Sequence, residues 1–346
     1  MQALILAGGK GTRLRPLTMY TPKPIVPVLN RPFLLYQIEI LQRAGITDIT
    51  LSLSYQPDKI EDLLDDGSEY GVNLRYITEP SPLGTGGAYK FAENLIGETT
   101  VVFNGDILTD LDVSEIIEFH RKKQAEATIV LTPVENPAAY GLVESDGENR
   151  VLQFREKPNA EVIANLSTKN INAGIYVLEP SVLDLINEGE NCSFEYNVFP
   201  DLLRLERPFY ACVLRENYWR DIGTPESYLR AHRDFLSGKI KGFEIEKTAK
   251  SQIATAAVVD KNSIIGAGCT IKPNARVINS VIGEGVHIEE KAVVENSVVW
   301  SHAHISSAAH VDGAIIGRSC HIGRNVVVKS GAVLGDKTAL TDYTRI

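Results

Sequence analysis

Residues 4–16 read Leu4-Ile5-Leu6-Ala7-Gly8-Gly9-Lys10-Gly11-Thr12-Arg13-Leu14-Arg15-Pro16. An apolar strand pattern runs here into a glycine-rich turn that carries three cationic side chains, and the chain has no acidic residue before Glu39. Glycine lets backbone N–H groups approach an anion closely, and the N-terminus of a following helix attracts negative charge. The stretch therefore predicts a strand followed by a phosphate-binding turn.

This turn differs in spacing from the best-known phosphate-binding loops. No Gly-Lys-Ser/Thr sequence closes it, which excludes a Walker loop. Leu14 occupies the third glycine position of a G-x-G-x-x-G pattern begun at Gly9, which excludes the dinucleotide fingerprint. Because glycine-rich turns are common, an ordinary strand-to-turn connection remains an alternative at this point.

The charge of the chain favours a small anionic ligand over a nucleic acid. The formal net charge is −9 and the isoelectric point is near 5.4. The acid-free segment nevertheless contains Lys10, Arg13, Arg15, Lys23 and Arg31. Positive charge concentrated locally in an acidic protein predicts a bound polyphosphate, and it argues against binding of nucleic acids or anionic membranes.

Three further features predict a cytoplasmic protein. No apolar run approaches the length of a membrane span. The prolines within residues 16–32 prevent the continuous helix that a transit peptide needs. Cys192, Cys212, Cys269 and Cys320 are far apart and form no C-x-x-C pair, which favours free thiols over a disulfide framework or a zinc site.

Up to about residue 236, strand-like and helix-like segments alternate. The predicted strands cover residues 48–55, 73–78 and 99–104, and the predicted helices cover residues 31–44, 57–66, 86–96 and 113–123. This alternation predicts an α/β domain with a Rossmann-like, mainly parallel sheet, helices on both faces and ligands at the carboxyl ends of the strands. Residues 142–154, interrupted by Asp146-Gly147, predict an inserted hairpin.

After Gln252 the sequence period changes. Aliphatic residues recur at intervals of six, six and five positions, and this 17-residue repeat occurs three times before it relaxes to sixes. The series is Ile265, Ile271, Val277, Ile282, Ile288, Val294, Val299, Ile305, Val311, Ile316, Ile322, Val328, Leu334 and Leu340. Three such faces make one coil of a parallel β-helix, in which inward aliphatic side chains stack from coil to coil. The predicted domains are therefore residues 1–236, a lysine-rich linker over 237–251, and a β-helix over 252–346.

Other segments of the first domain carry candidate ligand-binding residues. Asp106 ends an apolar strand, where a carboxylate can hold Mg²⁺ on bound phosphates, although a turn residue or helix cap explains it equally well. Glu156-Lys157-Pro158, residues 219–225 and the second glycine-rich segment at residues 84–87 read as ordinary turns when each is taken alone. Asn172 begins a strand, where a polar side chain often only caps the edge.

Taken together, these segments resemble one family, the sugar-1-phosphate nucleotidyltransferases, or nucleotide-sugar pyrophosphorylases. The resemblance rests on motifs in a fixed order: Gly8-Gly9-Lys10-Gly11-Thr12-Arg13-Leu14, Pro22-Lys23-Pro24, Leu83-Gly84-Thr85-Gly86-Gly87, Asn104-Gly105-Asp106, Tyr140-Gly141, Glu156-Lys157-Pro158, Asn172-Ala173-Gly174-Ile175-Tyr176 and Trp219-Arg220-Asp221-Ile222-Gly223. The chain is most similar to the mannose-1-phosphate guanylyltransferase branch, whose members carry a C-terminal left-handed β-helix of hexapeptide repeats. The resemblance covers essentially the whole chain.

The resemblance implies transfer of a nucleotidyl group from a nucleoside triphosphate to a sugar 1-phosphate, with release of pyrophosphate. It implies catalytic functions for Arg13, Lys23 and Lys157, and Mg²⁺ held by Asp106 and Asp221. The nucleotide would contact Leu6, Ala7, Gly8, Gly9, Gly11, Thr12, Arg13, Gly84, Thr85 and Gly105. The sugar phosphate would contact Gly141, Glu156, Lys157 and Asn172.

The expected substrates are GTP and mannose 1-phosphate, and thymidylyl or uridylyl transfer to glucose 1-phosphate is an alternative. A non-catalytic regulatory or assembly subunit of the same architecture is an alternative from another class, although such a protein would be expected to lose phosphate or metal ligands. An acyltransferase site is less favoured, because His287, His302, His304, His310 and His321 read as solvated coil residues. A homo-oligomer that assembles through the β-helix is expected.

Overall fold

The computed structural model describes residues 1–159, 161, 163, 168–245 and 247–346. They form two compact units, one of residues 1–9 and 36–219 and one of residues 10–35 and 220–346. The predicted domains are divided where the sequence period changes, whereas the compact units are divided by packing. By packing, residues 10–35 and 220–236 belong to the unit that contains the β-helix. No helix in the described part of the chain combines the length and the apolar character needed to cross a membrane.

Among the described residues, thirteen strands precede the β-helix. They are β1 Gln2–Leu6, β2 Pro27–Val28, β3 Arg31–Pro32, β4 Asp48–Leu53, β5 Asn73–Thr78, β6 Thr100–Asn104, β7 Ile107–Thr109, β8 Ala127–Pro133, β9 Gly141–Ser145, β10 Val151–Glu156, β11 Asn170–Leu178, β12 Phe209–Val213 and β13 Trp219–Asp221. The α-helices of the described residues are α1 Leu34–Arg43, α2 Pro57–Leu64, α3 Gly84–Phe91, α4 Val113–Lys123, α5 Phe199–Arg204 and α6 Pro225–Leu236.

The first unit contains one large sheet, which confirms the predicted α/β architecture. Its strand order is β10-β9-β11-β6-β1-β4-β5, and β8 pairs with β11 and β12. β1 is parallel to β4 and β6, β4 is parallel to β5, and β12 is parallel to β8. β11 reverses direction and runs antiparallel to β6, β8 and β9, and β9 and β10 form the predicted hairpin. The carboxyl ends of β1 and β6 lie together, because Leu6 pairs with Asn104.

The observed helix bounds agree with the predicted bounds in α4 and differ from them in α1 and α3. α1 begins at Leu34 and not at residue 31, because Arg31–Pro32 pairs with Pro27–Val28 as a short hairpin. α4 covers the predicted residues 113–123, and the Asp112 side chain accepts a hydrogen bond from the Ser114 N–H at its N-terminus. The helix predicted over residues 86–96 begins at Gly84 and ends at Phe91, and a 3₁₀ turn follows at Glu93–Leu95.

The second unit contains the predicted parallel β-helix. Its strands are β14 Gln252–Ile253, β15 Val258–Val259, β16 Ile264–Ile265, β17 Thr270–Ile271, β18 Arg276–Ile278, β19 Val281–Ile282, β20 His287–Ile288, β21 Val293–Glu295, β22 Val298–Val299, β23 His304–Ile305, β24 His310–Asp312, β25 Ile315–Ile316, β26 His321–Ile322, β27 Val327–Val328, β28 Val333–Leu334 and β29 Ala339–Leu340. They form three parallel sheets, in which each strand pairs with the third strand after it. The predicted inward aliphatics from Ile271 to Val328 are at most 1% exposed, so the repeat assignment is confirmed.

Side chains at the coil corners also stack from one coil to the next. The Ser263 hydroxyl accepts a hydrogen bond from the Ser280 N–H, and the Ser280 hydroxyl accepts one from the Ser297 N–H, each at 3.1 Å. Asn279 adopts the left-handed conformation at the corner, and its Nδ2 donates to Asn296 Oδ1 at 2.9 Å. These ladders satisfy corner groups that would otherwise lose their partners on burial.

The five β-helix histidines occupy two kinds of position. His302 lies at a corner, with a φ of 59°. The others lie in strands, and His287, His304 and His321 pair in register along one outer sheet, with ring centroids 5.8 and 5.1 Å apart. His304 also contacts Glu289, with 2.7 Å between its Nε2 and the carboxylate.

One outer sheet of the β-helix is unusual because its outward side chains are also buried. We name β16, β19, β22, β25 and β28 the covered sheet. Residues next to an inward position point outward by strand alternation. In the first four strands of the covered sheet these outward residues are Ile264, Val281, Val298 and Ile315, and each is at most 4% exposed. Val333 of β28, at the end of the sheet, is only half-buried. The chain must therefore pack other residues against this face.

The stacked aliphatics are expected to stabilise the β-helix, and β20 offers a matched pair of positions. Ile288 is fully buried, whereas its neighbour His287 is exposed. Ile288→Ala should lower the free energy of unfolding by about 2–5 kcal/mol, because it leaves a cavity between coils. His287→Ala should change it by no more than about 0.5 kcal/mol, as measured by urea denaturation. Equal effects of the two substitutions would contradict the stacked-core interpretation.

Candidate active site

The glycines at the ends of β1 and β6 lie where backbone segments approach closely. The Gly105 N–H donates to Leu6 O at 2.9 Å, and a Cβ at Gly105 would lie only 2.7 Å from the same oxygen. The Ala7 N–H donates to Ser52 O at 2.8 Å, which continues the pairing of β1 with β4. A Cβ at Gly8 would lie 3.0 Å from Glu79 Oε1. A larger residue at Gly105 would therefore displace the strand end.

The continuation of the turn belongs to the second unit. Gly11 has a φ of +60°, and the Thr18 hydroxyl donates to its carbonyl at 2.7 Å. A Cβ at Gly11 would lie 3.0 Å from Lys23 Cβ, so the lysine chain packs directly on the turn. Lys23 is only 9% exposed, whereas Thr12 and Arg13 are exposed on a short 3₁₀ turn. Of the two cations predicted to be catalytic in this segment, Lys23 is therefore buried and Arg13 is exposed.

Arg13 and Asp221 both lie next to Gly223. A Cβ at Gly223 would lie 3.0 Å from an Arg13 guanidinium nitrogen and 3.0 Å from Asp221 Oδ2. Because glycine has no side chain, both groups can lie against this backbone, and a larger residue would push them away. Thr224 then caps α6, because its hydroxyl accepts a hydrogen bond from the Ser227 N–H at 3.2 Å. Two residues predicted from distant motifs are therefore neighbours within the second unit.

The second glycine-rich segment is fixed by main-chain contacts in the first unit. Gly84 has a φ of +75°, and a Cβ there would lie 2.4 Å from Cys192 O. The Thr85 hydroxyl donates to Glu195 Oε2 at 3.0 Å and accepts from the Phe194 N–H at 2.8 Å. Because these contacts occupy the Thr85 side chain, the segment can offer a ligand its backbone rather than this hydroxyl.

The predicted sugar-phosphate residues lie on β9, β10 and β11. Gly141 pairs with Glu156 across the hairpin, and a Cβ at Gly141 would lie 2.7 Å from Glu156 Oε2. The Glu156 carboxylate lies 3.7 Å from Lys157 Nζ, and the lysine side chain is 63% exposed. The Asn172 Nδ2 donates to Tyr176 Oη at 2.9 Å. The structure therefore brings Gly141, Glu156 and Lys157 together.

Glu195, which the sequence analysis did not identify, contacts both Thr85 of the second glycine-rich segment and Tyr176 of β11. Its carboxylate accepts hydrogen bonds from the Thr85 hydroxyl at 3.0 Å and from Tyr176 Oη at 3.4 Å. Tyr176 in turn contacts Asn172. Burial raises the pKa of Glu156 above its usual value, the nearby Glu195 carboxylate raises it further, and Lys157 opposes both effects. No pattern around Glu195 distinguished it from a surface acid.

Gln37 positions the turn that carries Asp106. Its Nε2 donates to Asn104 O at 2.9 Å and to Ile107 O at 2.8 Å, and the residue is 1% exposed. A polar residue on the otherwise apolar face of α1 was a signal for this function, because a buried amide needs partners. Asp106 itself is half-buried after the carboxyl end of β6.

Hydrogen bonds between side chains and the main chain fix the segment that leads to Asp221. The Thr109 hydroxyl donates to Tyr218 O at 2.7 Å, and the Tyr218 N–H donates to Asp110 Oδ1 at 2.7 Å. Trp219 Nε1 donates to Ala173 O at 2.8 Å. Trp219 is therefore held beside the start of β11, and its motif is more than a surface turn.

The two candidate metal ligands have chemistry that fits Mg²⁺. Asp106 and Asp221 are half-buried carboxylates, and Mg²⁺ prefers hard oxygen donors. Among the described residues, no group of three or more His, Cys, Asp or Glu side chains could hold a metal ion. A magnesium ion at either carboxylate would therefore need further oxygens from phosphates and water, as is common for Mg²⁺ bound with a nucleotide.

A mainly parallel sheet with glycine turns at its strand ends, followed in the chain by a β-helix, defines the protein as an α/β protein with a β-helix domain. The nucleotidyl transferase family model matches residues 2–238, and the model of the EIF2B subunit epsilon LbH domain matches residues 244–346. The chain therefore belongs to the nucleotidyl transferase family. The second match is to a left-handed β-helix domain, which confirms the handedness expected from the resemblance.

Curated relatives cover most of the chain. The mannose-1-phosphate guanylyltransferase of Mycobacterium tuberculosis is 38% identical over 285 residues, which cover 80% of this chain and 78% of that protein. The mannose-1-phosphate guanyltransferase of Saccharomyces cerevisiae is 40% identical over 272 residues, which cover 77% of this chain and 71% of that protein. A solved structure from Bacillus anthracis, assigned as a glucose-1-phosphate thymidylyltransferase, has a TM-score of 0.62 at 24% identity and covers 70% of this chain and 98% of that chain. This structural likeness confirms the fold.

The opposed effects of Glu195 and Lys157 on Glu156 can be measured directly. Glu195→Gln removes a negative charge, so the pKa of Glu156 should fall, and its carboxylate should persist to lower pH. Lys157→Ala removes a positive charge, so the same pKa should rise. Carboxyl ¹³C NMR titration of glutamate-labelled protein measures both, with Glu156→Gln to assign the signal. Glu188→Gln, at an exposed position, should leave the titration unchanged; shifts of the same sign in both test variants would contradict the assignment.

Proposed function

We propose that the protein transfers a guanylyl group from GTP to mannose 1-phosphate and releases pyrophosphate. The observation that carries this proposal is that Arg13 and Asp221 both lie against Gly223, while Lys23 packs on Gly11 of the turn that leads to Arg13. This arrangement pairs cations for a polyphosphate with a carboxylate suited to its metal ion. Family membership and the substrates in the names of the curated relatives support the choice of reaction.

In this reaction an oxygen of the sugar phosphate attacks the α-phosphorus of the triphosphate. A new P–O bond forms, the bond from the α-phosphorus to the bridging oxygen breaks, and pyrophosphate leaves with the electron pair. No protein nucleophile is required, so catalysis depends on orienting the two substrates and on stabilising negative charge. Arg13 would bind the departing phosphates, and Lys23 would neutralise charge near the reacting phosphorus.

The remaining candidate residues divide between the two substrates. The main chain at Gly8, Gly84 and Gly105 would contact the nucleotide, because close packing leaves no room for side chains there. The Gly105 N–H donates to Leu6 O, so this glycine would contribute close approach rather than a donor. Lys157 would bind the phosphate of the sugar, and Glu156 would accept a hydrogen bond from a sugar hydroxyl. Mg²⁺ held by Asp106 and Asp221 would supply charge neutralisation on the phosphates.

A second candidate is a non-catalytic regulatory or assembly subunit. The observation that favours it is the match of residues 244–346 to a β-helix domain of a translation-initiation-factor subunit. The presence of Arg13, Lys23, Asp106, Lys157 and Asp221 together favours the enzyme, because a protein without the reaction would have no need to keep all five.

A substrate panel separates these functions. GTP, UTP, dTTP and ATP are each combined with mannose, glucose or N-acetylglucosamine 1-phosphate, and pyrophosphate release is measured with Mg²⁺ and with a chelator. We expect release with GTP and mannose 1-phosphate that requires Mg²⁺. Release only with dTTP or UTP and glucose 1-phosphate would replace the guanylyl assignment. No release with any pair would overturn the enzymatic function, and consumption of acetyl-CoA would support an acyltransferase.

Arg13 should be essential for turnover. Arg13→Ala should lower kcat by at least about a hundredfold, the scale on which enzymes lose rate when a group that stabilises transition-state charge is removed. Arg15→Ala is the matched control, because Arg15 is an exposed cation of the same segment. We expect a much smaller loss for Arg15→Ala, with both folds intact by circular dichroism. Equal losses would show a general field of positive charge and no specific contact by Arg13.

A further inference from the structure

The segment that carries Arg13 and Lys23 is attached to the β-helix rather than free on the surface of the second unit. β2 and β3 form a hairpin whose two-residue turn, Leu29-Asn30, has positive φ at both residues. At its tip, Asn30 Nδ2 donates to Ile282 O at 2.8 Å. Ile282 belongs to β19 of the covered sheet, so the tip of the hairpin is bonded to a coil.

A buried chain of hydrogen bonds makes a second attachment. Trp300, which directly follows β22 of the covered sheet, donates from Nε1 to Tyr228 Oη at 2.9 Å. Tyr228 lies on α6, and its hydroxyl donates to Pro27 O at the start of the hairpin. Trp300 and Tyr228 are at most 2% exposed. One hydroxyl therefore joins a coil, a helix and the segment that carries Lys23.

The distance along the chain from this contact to Lys23 is short. The Val26 N–H donates to Lys23 O at 3.2 Å, and the Phe33 N–H donates to Val26 O at 3.0 Å. Lys23 thus begins a turn that closes immediately before Pro27, and the hairpin closes behind it. A displacement of Pro27 would be transmitted to the Lys23 backbone over four residues, with little room for relaxation in a buried segment.

A third contact lies near Arg13. A Cβ at Gly335 would lie 3.0 Å from Pro16 Cβ, so this coil residue contacts the segment three positions after Arg13. Gly335 follows Leu334 at the end of β28, the last strand of the covered sheet. The covered sheet therefore contacts the segment near both cations, through Gly335 at one end and through Ile282 and Trp300 further along the stack.

We infer that the β-helix positions the phosphate-binding segment of its own chain, with Tyr228 and Trp300 as positioning residues for Arg13 and Lys23. The inference rests on the proposed function, because it assigns these cations to the triphosphate and its pyrophosphate product. The coils act as a rigid support: a stacked aliphatic core fixes the covered sheet, and the covered sheet fixes Pro16, Pro27 and Asn30. Neither Tyr228 nor Trp300 contacts a substrate in this account.

Tyr228→Phe tests the central contact, because it removes one hydroxyl and leaves both Pro27 O and Trp300 Nε1 without this partner. We expect the KM for GTP, and the KM for pyrophosphate in the reverse reaction, to rise roughly three- to tenfold, the range that corresponds to one lost hydrogen bond. The KM for mannose 1-phosphate should remain unchanged, because Glu156 and Lys157 belong to the other unit. Trp300→Phe should have the same pattern with a smaller size, since Tyr228 can still donate to Pro27 O.

Gly335→Ala tests the inference from the coil side without removing any polar group. Its new methyl would press on Pro16, so the KM for GTP should rise while the KM for mannose 1-phosphate stays constant. The control is Val311→Ala, a cavity in the core of β24 on a different sheet. It should lower Tm at least as much as the test variants and leave both KM values at their wild-type levels.

The outcomes distinguish positioning from stability. If both KM values rise in proportion to the loss of Tm in the test variants and also in Val311→Ala, the effect is general destabilisation. That result would overturn the inference. Unchanged KM values in Tyr228→Phe, Trp300→Phe and Gly335→Ala beside an active wild type would also overturn it. If Tyr228→Phe does not fold, the other two variants decide. Absence of turnover in the wild type would instead overturn the proposed function, which separates that failure from this one.

Discussion

The second unit depends on burying the outer face of the covered sheet. A β-helix needs only its inward side chains to be apolar, yet Ile264, Val281, Val298 and Ile315 point outward and are almost completely buried. Leaving such a surface in water would be unfavourable by about 25 cal/mol for each Å². Residues 10–35 and 220–245 belong to the same compact unit, and from them Pro16, Asn30 and Tyr228 contact residues in or directly after strands of the covered sheet. The segment that carries the phosphate-binding cations is therefore part of the packing of the β-helix.

Around the candidate site, close backbone approach is the second constraint. Gly105 lies against Leu6 O, Gly84 lies against Cys192 O, and Gly223 lies between Arg13 and Asp221. At each of these positions a Cβ would meet another atom at 3.0 Å or less. The glycines of the motifs thus have two effects. They let strand ends and turns pack closely, and without side chains they would let the phosphates of the proposed substrate approach the main chain. Arg13 and Asp221 lie against Gly223, and Lys23 lies against Gly11, so these motifs combine close packing with charged side chains.

Much of this architecture could be predicted because periodicity reports burial directly. The repeat of six, six and five positions located the inward residues from Ile265 onward, and alternating segments predicted β1, β4, β5 and β6 of the large sheet, whereas β8 and β12 were not predicted. The reversal of β11 could not be predicted, because an antiparallel strand with both faces buried has the same apolar pattern as a parallel one. Likewise, α1 was predicted three residues too early, because the pairing of Arg31–Pro32 with Pro27–Val28 is a contact between segments and not a local preference.

By itself, the sequence determined the order of the motifs, the change of period and the concentration of cations in an acid-free segment, because each is a property of local spacing and composition. Only the tertiary structure decided which residues meet. It placed Glu195 beside Thr85 and Tyr176, it bonded Gln37 to the turn of Asp106, and it joined Trp300 to Pro27 through the hydroxyl of Tyr228. These contacts link residues far apart in the chain through single polar atoms. A hydrogen bond between two single polar atoms produces no periodic pattern in the sequence. Which two atoms pair depends on how the surrounding chain packs.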